Sequence, residues 1–184
     1  MDSLVNHFLI AMPGMGDPNF GETVTLICEH TEGGALGIVI NRPIGMTLGE
    51  VLSQLDINSE DAALCEMPVM QGGPVQQDRG FVLHSRGGDW DSTLAISETL
   101  QVTTSQDILA ALAEGRGPEQ LLVALGYAGW GAGQLEQEMA ANAWLSVGAD
   151  PALVFETPLE ERWQRAAGLL GISLEQLSSY AGHA

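Results

Sequence analysis

Lysine is absent from this sequence of 184 residues, and arginine occurs only six times. Against 24 acidic residues this leaves a formal charge of −18. Nucleic-acid affinity rests mainly on basic groups that displace counterions from phosphate. A chain this acidic repels polyanions and anionic lipid surfaces alike. Direct nucleic-acid binding is therefore disfavoured, and no membrane partner is expected. The acid also serves the plainer purpose of solubility. Cysteine is scarce too: Cys28 and Cys65 form no C-x-x-C motif, which points to free thiols in a reducing compartment. The start, Met1-Asp2-Ser3, lacks the basic stretch of a secretory signal, so a cytoplasmic location is expected. Apolar runs such as Leu121–Leu125 are far too short to span a bilayer. The four histidines and two cysteines place no pair at i, i+3 or i, i+4, the spacing a helical zinc site needs. The acids of Asp56–Asp61 lack an EF-hand pattern. No metal and no cofactor are expected.

What is present suffices for a core. Hydrophobic residues make up 45% of the chain, and no repeat, low-complexity tract or linker divides it, so residues 1–184 read as a single domain. The sequence predicts strands over Asn6–Met12, Thr23–His30 and Leu36–Asn41, the last two joined by Gly33-Gly34 as a hairpin that Pro43 ends. Further strands are expected at Gly80–Ser85, Thr93–Ser97, Leu121–Leu125 and Ala143–Val147. Helix starts are signalled by capping boxes at Thr47–Glu50, more weakly at Thr104–Asp107, and most clearly at Thr157-Pro-Leu-Glu160, with proline at the first helical position. A last helix is expected from Ser173. Strict β-α-β alternation fails, which favours an α+β fold with a mixed, partly antiparallel sheet.

Several words of sequence, in order along nearly the whole chain, resemble the AlgH/YqgE family. They include Phe8-Leu-Ile-Ala-Met-Pro13, Gly34-Ala-Leu-Gly-Ile-Val-Ile-Asn-Arg-Pro43 and Gly72-Gly-Pro-Val75. Arg79-Gly-Phe-Val-Leu-His84, Gly126-Tyr-Ala-Gly-Trp130 and Asn142-Ala-Trp144 continue the match. The resemblance implies a barrel-like mixed sheet surrounded by helices in a bacterial cytosolic protein, and it carries a label of transcriptional regulation. It brings no catalytic residue, cofactor or activity. Gln106 and Glu22 stand where the family often has basic residues, which further weakens a nucleic-acid role.

Three groups of residues could carry chemistry. Cys28 and His30 alternate on one predicted strand and so share a face. A thiol beside an imidazole is an activated nucleophile, although the reach between them is long and a buried cysteine is the simpler reading. Gly126–Gly133, between a predicted strand and a helix, lies where open amides cradle an anion. It has no G-x-G-x-x-G register and no Walker lysine, and close backbone packing explains it as well. The third group is Asn41, Arg42, Gly72, Gly73, Arg79 and His84, all at turns or strand ends, where binding groups gather. With Gly129 and Trp130 they form the candidate ligand site, the arginines anchoring a carboxylate or phosphate. The reading that follows is a non-catalytic regulatory protein that binds a small ligand or a protein partner. A thiol-dependent enzyme using Cys28 and His30 is the alternative, and direct DNA binding comes third.

Overall fold

Val24, Leu26 and Cys28 point to one side of their strand and Thr25 and Ile27 to the other, and all five are buried. A sheet built on such strands must be covered on both faces. The computed structural model describes residues 2–14, 20–171 and 173. Its strands are β1 (His7–Ala11), β2 (Val24–Thr31), β3 (Gly34–Val39), β4 (Pro43–Thr47), β5 (Pro68–Gln71) and β6 (Val75–Ser85). They continue as β7 (Thr93–Ala95), β8 (Leu100–Thr103), β9 (Leu121–Gly131) and β10 (Trp144–Gly148). The helices are α1 (Leu48–Gln54), α2 (Ala62–Cys65), α3 (Asp107–Ala113), α4 (Gln134–Ala140), α5 (Pro151–Phe155) and α6 (Arg162–Gly168).

Among the described residues the strands form one curled half-barrel in the order β10-β1-β2-β3-β9-β6-β8-β7, with β5 also on β9 and β4 on β5. Pairing is antiparallel except for β5 with β9, which run parallel. The fold is thus α+β in a single domain, as the sequence implies. The curl shows in the packing. Phe8, Leu26, Ile38, Leu83 and Leu100, from strands far apart in the order, meet in one cluster, so theirs is the inner face. Leu153 and Val154 of α5 and Ala166 of α6 plug it. The outer face is covered in two patches. Helices α1, α2 and α3 lie over Val82 and Val123, while α4 lies over Leu9, Ile27, Trp130 and Trp144. No helix of the described residues is long and apolar enough to cross a membrane.

The cap signals are half right. Thr47 makes both arms of its box: its hydroxyl accepts from Glu50 N–H, and the Glu50 carboxylate accepts from Thr47 N–H. Thr104 caps nothing; α3 begins after Gln106 without a side-chain cap. Thr157 is also reassigned. Its hydroxyl turns back to the Ala152 carbonyl at 3.4 Å, closing α5, and only a 3-10 turn (Leu159–Glu161) leads on to α6. The true start lies earlier, where Asp150 caps α5 ahead of Pro151. Pro43 ends one strand as expected but opens β4. The helix expected from Ser173 lies outside the described residues.

Candidate functional site

The structure separates Cys28 from His30. A bulge between Ile27 and Glu29 leaves Cys28 without a partner on β3. An extra residue reverses the alternation beyond it. Cys28 points into the inner core with Leu26, whereas His30 lies towards α4. The Leu4 N–H donates to His30 Nδ1 at 2.9 Å, so Nε2 carries the proton and donates to the Glu136 carboxylate. That bond holds the Glu136 carboxyl below its ordinary range. Burial, with the Glu29 charge behind it, pushes the Cys28 thiol far up. The two side chains therefore do not share a face, and the thiol is held protonated.

Gly126–Gly131 is strand, not a loop: it continues β9 and pairs with β3. Gly126 sits at φ +80°, a corner that lets β9 pass from β6 to β3. The acids after it are already engaged. One oxygen of Glu138 accepts from both indole N–H groups, Trp130 at 3.1 Å and Trp144 at 3.0 Å, and the other from Gln134. Trp130 is thereby fixed in the cover of α4. Gly129 and Trp130 border a wide, shallow depression with Glu29 and Tyr127.

Part of the third group stands together: the Arg42 carbonyl accepts from Gln71 N–H at 2.7 Å, which sets Asn41 and Arg42 beside Gly72 and Gly73. Asn41 accepts from Val24 N–H and donates to the Glu22 carbonyl, each at 2.9 Å, and Arg42 donates to the Gly21 carbonyl. Both tie the chain near Gly21 to the end of β3. Gly72 bridges two strands, donating to the Leu125 carbonyl and accepting from Val39 N–H, each at 2.8 Å. Gly73 lies on the backbone of Tyr127 and Ala128. Arg79 is exposed, its guanidinium 5.2 Å from the Phe81 ring centre. His84 is buried, and Nδ1 donates to the Ser85 carbonyl at 2.8 Å while Nε2 accepts from the Thr103 hydroxyl at 2.7 Å. Burial lowers its pKa, opposed by the Ser85 bond, so the ring is neutral at pH 7.

A cleft of about 270 Å³ opens instead between α1, α3 and the outer face of β6, β8 and β9. Its floor is apolar, from Val82, Val123 and Leu125, and Val51, Leu55 and Leu109 wall it from the helices. Thr103, which bonds His84, lies at its inner end. Gln54, Asp78, Thr104 and Gln106 rim it. Among the described residues these four side chains make no hydrogen bond, in contrast to Asn41, Glu138 and His84. A register shift against β9 between Val75 and Gly80 leaves Gln76–Arg79 of β6 exposed, with Asp78 at the rim. Sequence reading missed this cleft. It passes beside Arg79, and its one local signal, Thr104 to Gln106, reads as a helix cap.

A curled sheet with helices packed on its outer face and plugging its inner face defines the structural class, which recurs in solved structures. The solution structure of the AlgH protein from Pseudomonas aeruginosa aligns over 100% of this chain and 99% of its own, with a TM-score of 0.80 and 54% identity. Protein DIP2367 of Corynebacterium diphtheriae shares the fold at a TM-score of 0.76 and 21% identity, over 97% of this chain and 93% of its own. In sequence, a UPF0301 protein of Thioalkalivibrio sulfidiphilus is 59% identical over 99% of this chain and 97% of its own length. One from Nitrosospira multiformis is 56% identical over 98% and 97%. The AlgH-like family model matches residues 8–175. The chain belongs to the AlgH-like family.

Proposed function

We propose that this protein is a non-catalytic binding protein that takes a small ligand in the cleft beneath α1 and α3 and acts on regulation indirectly, through a protein partner. The observation that carries the reading is the pairing of an apolar floor with four unengaged polar side chains at one rim, the usual composition of a small-molecule site. At about 270 Å³ the cleft has room for roughly ten heavy atoms. A thiolate enzyme finds no support, because Cys28 is buried with its thiol raised and His30 is spent on Glu136.

Gly80 provides the test. A Cβ built there meets only Leu125 Cδ2, at 3.9 Å, and Gly80 lines the cleft. Gly80→Phe is therefore expected to place a ring in the cleft, with retained amide dispersion as the check that the fold is kept. In amide NMR spectra, a panel of small amphipathic fragments is expected to shift residues around the cleft in the parent protein and not in Gly80→Phe. Shifts that survive in the filled variant, or none in the parent, would sink the cleft reading. The charge of −18 supports action through a protein rather than on DNA. Fluorescence anisotropy with mixed duplex DNA at low salt is expected to stay flat. Tight, salt-sensitive binding would restore the DNA-binding alternative.

A further inference from the structure

Resting on that reading, we propose that the ligand of the cleft is a small organic amine, bound with its apolar body on the sheet and its cationic head at the rim beside Asp78. Every rim group offers an acceptor: the carboxylate of Asp78, the amide oxygens of Gln54 and Gln106 and the hydroxyl of Thr104. No arginine lines the cleft. The nearest in sequence, Arg79, lies over the Phe81 ring and reaches the Gln76 amide oxygen at 3.5 Å. A carboxylate or phosphate placed here would lose water without gaining a positive partner, and would face Asp78 as a like charge.

An ammonium group meets the opposite situation. Three N–H donors match the oxygens of the rim, and the surrounding acid raises the local concentration of small cations. The floor fixes the other end. Val82, Val123 and Leu125 present an apolar surface to the ligand's body. At the inner end the Thr103 hydroxyl donates to neutral His84, so a hydrogen-bond acceptor buried there would find no free donor.

Three probes with the same benzyl body and nearly equal size separate charge from apolar contact: 2-phenylethylamine, 2-phenylethanol and phenylacetate. Each is titrated by amide NMR at physiological salt, which screens diffuse attraction to the acidic surface. The amine is expected to bind at least about tenfold tighter than phenylacetate, a difference of about 1.4 kcal/mol, with the alcohol between them. Asp78→Asn is expected to weaken the amine severalfold and leave the alcohol unchanged. Phenylacetate binding as tightly as the amine overturns the amine proposal, while cleft shifts from the alcohol leave the site itself standing. Amine shifts that spread over the acidic surface and persist in Gly80→Phe also overturn it. If none of the three probes moves a cleft resonance, proposal and cleft reading fall together.

Discussion

Gly73→Ala is expected to destabilise the protein by about 4 kcal/mol or more. A Cβ at position 73 would sit 2.1 Å from the Tyr127 carbonyl carbon, 2.2 Å from its oxygen and 2.3 Å from the Ala128 nitrogen. These are backbone atoms of β9, which is pinned by β3 and β6, so no side chain can rotate away. Overpacking alone costs about 1–3 kcal/mol when side chains can adjust. A clash of backbone with backbone exceeds that, and about 4 kcal/mol is a large part of a typical stability of about 5–15 kcal/mol. Urea denaturation of Gly73→Ala beside Gly80→Ala checks it. Position 80 is open and should tolerate alanine within about 1 kcal/mol. Equal midpoints for the two variants would refute the packing account.

Arg162 carries the second large effect. It is 7% exposed, and the described residues give it no carboxylate partner. Its guanidinium donates instead to the carbonyls of Thr157 (2.9 Å) and Ile40, fastening α6 to the end of β3. Burial lowers its pKa to about 10, which still leaves it charged at pH 7. Arg162→Leu would strip two buried carbonyls of a charged donor, at about 1–3 kcal/mol each, for an expected loss of about 3–5 kcal/mol. Arg162→Lys should recover less than half, because a single ammonium cannot span both carbonyls. A leucine variant as stable as the parent would mean that the cost of burying the charge cancels its bonds, as happens for some buried ions.

The same two sites show where sequence reading ends. The outer strands were legible because β1, β2 and β10 keep runs of apolar residues bounded by turn signals. Strand β4 was not, since Gly45 sits within it at φ +79°, Ile44 is exposed and Met46 only half-buried. Strand β9 was read only to Leu125. Its remaining six residues include Gly126, Gly129 and Gly131, and glycine at that density signals a loop. Gly126 is there because Gly72 and Gly73 cross against it, a contact between segments some fifty residues apart. Periodicity within either segment carries no trace of it.

The candidate site was less legible still. Asn41, Arg42 and His84 are polar residues at strand ends, the right type for binding groups, but each is satisfied within its own chain. The bulge at Cys28 broke the shared face that alternation implied. The cleft draws on α1, α3, the register-shifted stretch of β6, the end of β8 and the middle of β9. Only the fold brings these five together, so no spacing could have announced it.

Strand β9 also bears on how the chain reaches this state. It joins β3 to β6 and takes β5 as a parallel neighbour, yet it begins only at Leu121. Gly34 waits for Gly131, about a hundred residues later. Until that stretch leaves the ribosome, β3 and β6 each present an unpaired edge, the kind that recruits other chains. Contacts this distant in sequence also slow the search for the native topology. A later β9 then leaves newly made chains longer exposed to aggregation, and the excess of acid already present before Leu121 opposes contact between such half-made sheets.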